Sequence, residues 1–378
     1  MTVTALLRRT RKVCGVAVIE DFGIAWTRVA GGASAARVAV GAAASRVAGG
    51  EPDLFQAGSI AKPVTALAAL ELAARGQADL DGDVNERLIL WQVPGPERIS
   101  LRQLLGHTSG LGVPFFPGYP QGAAVPTLRQ VLDGVPPSAT SAVRADPAAR
   151  GRFCYSGGGY AIVQQLIADI TGLPFAQAAR SLVLEPLGMT HSTFEQPLPA
   201  GQRPAAARHD WHVYPESAAA GLWTTPADLA RYICALQAAL AGRPSAVRAE
   251  TAAEILTPRT PLSGRGQWNL LPILGIRPPD AAGLGMFLHG DDRFSHFGGA
   301  AGFFSAFTGS LNDGTGAVVM TAANASPFIF KLLRAISDEH GWAGFRQPAG
   351  KRLNGLPRAL GLPLPLSRNA SQQKVLVK

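Results

Sequence analysis

A chain of 378 residues with 47% hydrophobic and only 16% charged residues can bury a large core, which excludes a disordered or fibrous polymer. The net charge of +9 would suit nucleic acid or an acidic membrane, but the basic runs lie only near the ends and without interleaved aromatics: Arg8, Arg9, Arg11 and Lys12, then Lys351, Arg352, Arg358, Arg368, Lys374 and Lys378, which carry much of the excess. Cys14, Cys154 and Cys234 are odd in number, far apart and outside any CxxC pair, which argues against a disulfide framework or a cysteine-rich zinc site.

Residues 1–12 read as a basic N-terminal segment. The apolar stretch after it is short and lacks a small-residue cleavage pattern, so a cytoplasmic protein is expected. No apolar run approaches the ~20 residues of a membrane-spanning helix. Val13 to Ile19 and Ile24 to Val29 are β-prone runs joined by Glu20-Asp21-Phe22-Gly23, a hairpin signal. Ile60, Val64, Leu67 and Ala74 recur at helical spacing from about Ser59, with Pro63 in the first turn and Arg75-Gly76 as the stop.

Ser59-Ile60-Ala61-Lys62 sets a hydroxyl and an amine one turn apart on one face of that helix. The spacing alone is weak, since Ser371-Gln372-Gln373-Lys374 repeats it in the tail without an apolar helix behind it. Lysine usage separates the two copies. Between Lys12 and Lys331 arginine serves everywhere except position 62. A guanidinium stays charged, whereas a desolvated ammonium can lose its proton and act as a base.

From Asp83 to Pro147 prolines, among them Pro114, Pro117, Pro120, Pro126, Pro136, Pro137 and Pro147, break up the apolar stretches, giving an irregular lobe. Phe153-Cys154-Tyr155-Ser156-Gly157-Gly158-Gly159-Tyr160 then reads as a Gly-rich bend running into a helix that carries Val163, Leu166, Ile167 and Ile170 and stops at Gly172. His209-Asp210-Trp211-His212 holds two histidines three apart without a third ligand, so no metal is expected. Thr225-Pro226 opens a further helix, with Asp228 in its first turn and Gly242 after its end. His296-Phe297-Gly298-Gly299-Ala300-Ala301-Gly302 leads into Phe303 to Leu311, and Asn312-Asp313-Gly314 turns that run back through Ala317 to Ala323. Ser326-Pro327 is expected to cap a last helix bearing Ile329, Leu332, Leu333 and Ile336 on one face, closed by His340-Gly341.

Strands at both ends with helices between them predict an α/β fold of the α+β type: an antiparallel sheet of N- and C-terminal strands flanked by helices, with an inserted helical and loop-rich lobe. The expected division is a domain over 13–344, its lobe about 83–215, followed by a Pro-rich basic tail over 345–378.

Ser-x-x-Lys, Tyr-Ser-x and a basic-x-Gly element, in that order, resemble the penicillin-recognising serine enzymes: class C β-lactamases, DD-peptidases and β-lactamase-like esterases. Leu104-Leu105-Gly106-His107-Thr108-Ser109-Gly110-Leu111, Glu185-Pro186-Leu187-Gly188-Met189-Thr190 and Gly221-Leu222-Trp223-Thr224-Thr225-Pro226-Ala227-Asp228-Leu229 add to the resemblance, which spans about Val13 to His340. It implies Ser59 as nucleophile, Lys62 and Tyr155 as the pair that moves its proton, His296 in the basic position, and the backbone N–H groups of Ser59 and Gly299 as oxyanion donors. Gly298, Gly157 and Phe297 would border the substrate. Which of Lys62 and Tyr155 is the base stays open.

Two departures bear on substrate. Gly157 stands where many relatives have Asn, and Phe297 with a neutral His296 replaces the Lys-Thr pair that holds a β-lactam carboxylate. Both favour hydrolysis of a small-molecule ester or amide, by an esterase or D-amino-acid peptidase, over β-lactamase activity. The reading needs no cofactor, nucleic acid or membrane. A penicillin-binding or sensor-type protein that is acylated slowly or not at all is the rival.

Overall fold

Both ends of the chain supply strands to one sheet. The computed structural model describes residues 2–10, 13–30, 37–40, 53–202, 204–205, 211–262, 277–290 and 292–342. Among these, nine strands pair antiparallel in the order Arg37–Val40, Gly23–Ala30, Cys14–Glu20, Gly316–Thr321, Phe303–Ser310, Arg293–Ala300, Phe287–His289, Ala281–Ala282 and Thr260–Pro261. Cys14–Glu20 and Gly316–Thr321 sit side by side, with Val16 opposite Val319, so the first and last strands close the middle of the sheet. The first hairpin turns through Asp21 and Phe22, both left-handed at φ 46° and 61°, the turn whose twist matches that of its strands.

Alternation along the strands divides the core in two. Val16, Val18, Ala306 and Val319 meet Ile329, Leu332, Leu333 and Ile336 of the helix Ser326–Glu339. Ala17, Ile19, Phe303, Phe307, Val318 and Met320 face the helices Ala61–Ala74 and Pro226–Leu240. The first of these helices is buried from Ala61 to Leu72, which is why its sequence is apolar all round instead of striped. The lobe holds the short helices Leu101–Leu105 and Leu128–Asp133, each opened by a capping box (Ser100 with Gln103, Thr127 with Gln130), and the longer Gly157–Thr171. Among the described residues no helix is long and apolar enough to cross a membrane.

The structure differs from the sequence reading in four places. Residues Val3–Arg9, read only as basic, form a helix whose Val3, Leu6 and Leu7 pack on the Ser326–Glu339 helix. That last helix is preceded by Ala325 with no side-chain cap, so Ser326 is its first residue and not its cap. Gly157, Gly158 and Gly159 are not a bend before a helix but its first turn, capped by Ser156, whose Oγ accepts the Gly159 N–H at 2.9 Å. His296 to Ala300 do not precede the strands; they are the end of one, Arg293–Ala300. The Ser371–Lys374 copy, the basic tail, His209 and Asp210 lie outside the described residues.

Candidate active site

Ser59 sits where a short strand, a tight turn and a buried helix meet. Phe55–Gln56 pairs with Trp223–Thr224, and the Ala57 N–H donates to Leu222 O at 2.9 Å. Phe55 and Trp223 both pack edge-on against Phe303, tying this bridge to the large sheet. The chain then makes a 3-10 turn over Gly58–Ile60 and enters the helix Ala61–Ala74. Gly58 is left-handed (φ 54°), and a Cβ there would lie 2.5 Å from Gly299 O and 2.9 Å from Gly299 N. A Cβ on Gly298 would lie 2.1 Å from Ala57 O and 2.6 Å from Ser59 N. Only glycine at both places lets the Arg293–Ala300 strand lie against the turn that carries the serine.

That close approach sets two amides beside one another. Ala300 and Phe303 close the hairpin, so the alternation of ladder bonds turns the Gly299 N–H away from the neighbouring strand. The Ser59 N–H lies at a helix start, where the first donors have no intrahelical acceptor.

Lys62 Nζ lies 3.2 Å from Ser59 Oγ and 2.8 Å from Ala219 O, with the rings of Tyr155 and Tyr160 at 5.0 and 5.7 Å. Its side chain is 2% exposed, and no carboxylate is among its hydrogen-bond partners. Burial therefore pushes its pKa from 10.5 down to about 7. That is a penalty of roughly 5 kcal/mol on the charged form.

Tyr155 precedes the helix Gly157–Thr171, and the Ser59 side chain is near enough to its phenol to favour the ionised form. Burial moves this phenol well above its ordinary value of 10, and the serine contact only partly offsets the shift. The phenol keeps its proton where the amine beside it can lose one.

His296 is 1% exposed, stacks on Phe287 at 4.8 Å, and bonds through Nδ1 to Phe297 O at 2.9 Å, leaving Nε2 buried without a partner. Burial, then the nearby Lys62 charge, drops its pKa to about 3. The ring is therefore neutral near pH 7.

Of the other residues expected to border the substrate, Gly298 and Gly299 are brought to Ser59. Phe297 and Gly157 are not. The Phe297 ring points to the other face of the sheet, among Phe287, Phe304 and Phe330. Gly157 is buried, and a Cβ there would meet the Phe116 ring and Pro114 O at 3.0 Å, so Phe116 fills the space a longer side chain would need. Sequence reasoning gave no role to His107, whose ring lies 4.5 Å from that of Tyr155, or to Ala219, whose carbonyl holds Lys62. The signal for His107 was present in Gly106-His107-Thr108-Ser109. A backbone carbonyl leaves no such trace. His212 donates through Nδ1 to Pro117 O, and among the described residues no cluster of three or more His, Cys, Asp or Glu could hold a metal.

The Beta-lactamase family model matches residues 8–339 of this chain. Esterase EstB of Burkholderia gladioli is 31% identical over 217 residues, 54% of this chain and 52% of that protein. The putative penicillin-binding protein PbpX of Bacillus subtilis (strain 168) is 27% identical over 151 residues, 39% of this chain and 35% of that protein. The matches thus span between a third and about half the length of these relatives. Among solved structures, the D-amino acid amidase of Ochrobactrum anthropi SV3 superposes with a TM-score of 0.63 at 19% identity, covering 90% of this chain and 99% of the amidase. At that identity the likeness is one of fold.

Proposed function

The chain belongs to the Beta-lactamase family, and from that premise we propose that it is a serine hydrolase working through an acyl-enzyme on Ser59, with Lys62 as the base. One observation carries the reading: a buried amine 3.2 Å from Ser59 Oγ, with no carboxylate among its hydrogen-bond partners in the described residues, whose pKa falls to about 7. Such an amine takes the serine proton as Oγ attacks a carbonyl. The Ser59 and Gly299 N–H groups receive the developing oxyanion, each donor supplying about 3 kcal/mol of transition-state stabilisation. Tyr155, which retains its proton, delivers it to the leaving group and is recharged from the Lys62 ammonium. Water then releases the acyl group by the reverse route.

The substrate is a small ester or amide without a carboxylate next to the reacting bond. Support comes from charge: His296 is neutral, Phe297 offers no hydroxyl, and Lys62 is occupied by Ser59 and Ala219. Neither His296 nor Lys62 offers a β-lactam carboxylate a free cation to replace its water. The esterase and amidase among the similar proteins agree with this choice.

Intact-mass spectrometry with peptide mapping tests it. Incubated with a nitrophenyl ester, a D-amino-acid amide and a cephalosporin, the protein is expected to turn over the first two with a transient acyl group on Ser59, and to react with the third far more slowly. A label on another residue would overturn the assignment. Arrest at one equivalent on every substrate would favour the penicillin-binding alternative.

A further inference from the structure

His107 is 2% exposed and holds a left-handed backbone, φ 57°, which a residue with a Cβ rarely adopts. That conformation lets one residue meet the strand of chain carrying Tyr155 twice. The His107 carbonyl accepts the Cys154 N–H at 2.8 Å, and its ring Nδ1 accepts the Ser156 N–H at 3.1 Å. The two amides on either side of Tyr155 are thus held by the same side chain and its own backbone. Between them, the imidazole lies 4.5 Å from the phenol ring, tilted by 33°, and 5.3 Å from Tyr160, whose hydroxyl is tied to Leu105 O at 3.0 Å.

Accepting at Nδ1 requires the neutral ring with its proton on Nε2. Burial, the Lys62 charge and His296 all hold the ring in that state, since each opposes a second proton. The grip on Ser156 therefore does not loosen as the amine next to it gains and loses its charge.

We infer that His107 is a positioning residue, which aims the Tyr155 hydroxyl at Ser59 by fixing the peptide on both sides of the tyrosine. This rests on the reading of Tyr155 as the group that protonates the leaving group. Loss of the grip lets the phenol swing by a fraction of an ångström to an ångström, a displacement that costs about 100-fold in a reaction governed by alignment. The loss falls on proton delivery. It is large for esters of poor leaving groups such as ethanol, and small for nitrophenyl esters, whose leaving group departs without help.

The test is the single-turnover acylation rate for a series of esters running from nitrophenol to ethanol. The proteins are the native chain, Tyr155→Phe, His107→Phe, His107→Asn and the double variant Tyr155→Phe with His107→Phe, each corrected for active fraction by burst titration. His107→Phe keeps a ring and removes the acceptor. It is expected to slow the ethyl ester about 100-fold and the nitrophenyl ester less than about 10-fold, with KM unchanged. His107→Asn retains an acceptor near the Nδ1 position and tolerates the left-handed backbone, and is expected to recover about 10-fold of that loss. The double variant should be no slower than Tyr155→Phe, because both changes remove one function.

A uniform slowing of all esters, a loss confined to burst amplitude, or losses that add in full would overturn the inference while leaving the proposed chemistry intact. If Tyr155→Phe itself leaves the leaving-group dependence unchanged, the proton role of Tyr155 fails and the positioning role falls with it. Should His107→Phe not fold, His107→Asn alone and combined with Tyr155→Phe decides by the same criteria.

Discussion

The two faces of the sheet are built on opposite principles. Toward the helices Val3–Arg9 and Ser326–Glu339, the buried layer is apolar and mainly aliphatic, with Val16, Val18, Val319, Leu332 and Ile336 beside Phe287, Phe304 and Phe330. Toward the helix Ala61–Ala74, the layer encloses Lys62, His107, His296 and Glu216, and His107 Nε2, His296 Nε2 and both Glu216 carboxyl oxygens are buried without partners. Glu216 is held so dry that its pKa rises to about 8. Unpaired buried polar groups oppose folding. One face therefore stabilises the molecule, and the other keeps groups in protonation states that water would not allow.

The sharpest way to break that contrast is to replace the amine by a cation that cannot lose its proton. Lys62→Arg is expected to lower kcat/KM for a nitrophenyl ester by about 1,000-fold, within the usual contribution of a positioned base, while circular dichroism shows the fold retained. An arginine variant with near-native turnover would mean that the dry amine is incidental.

Next in size is Leu332→Ala on the aliphatic face, where the side chain is fully buried. It should cost about 3 kcal/mol in urea unfolding and leave turnover per folded molecule unchanged.

The smallest effect has the opposite sign. In the folded chain Lys62 releases its proton near pH 7 instead of 10.5, so the folded state binds fewer protons than the unfolded one between those values. Stability then rises with pH across that window, and the penalty is complete below it. Lys62→Met should therefore be more stable than the native protein by about 2 kcal/mol at pH 6, after allowance for the lost bonds to Ser59 and Ala219, with the gain shrinking toward pH 10. Denaturant unfolding at the two pH values measures it. Equal stability at pH 6 would show that the amine is not held at a cost.

What the sequence made legible follows the same division. The aliphatic face announces itself through periodicity: Ile329, Leu332, Leu333 and Ile336 read as one helix stripe, and Val3, Leu6 and Leu7 carry the same spacing, obscured by the arginines that follow them. The face around Ser59 was legible through Lys62, out of place in an arginine-using chain, and through the ordered motifs that carry Ser59, Tyr155 and His296. Its helix gave a weaker pattern because every side is buried. Gly157 and Phe297 could not be placed by motif alone. The direction of the Phe297 ring depends on strand alternation, and what fills the space beside Gly157 depends on Phe116, 41 residues earlier in the sequence. His107 was hidden for a similar reason, since its effect on Tyr155 is exerted through backbone amides.

The proposed mechanism requires Lys62 to work as an uncharged amine near neutrality. The pH dependence of kcat/KM for a neutral nitrophenyl ester tests it most directly, because that profile reports the free enzyme's essential base. The rate should rise tenfold per pH unit below an inflection near 7 and level off above it, since His107 and His296 are neutral throughout and Tyr155 keeps its proton. A rate that stays flat from pH 5 to 9, or one that climbs until about pH 10 as an ordinary lysine would require, would contradict it.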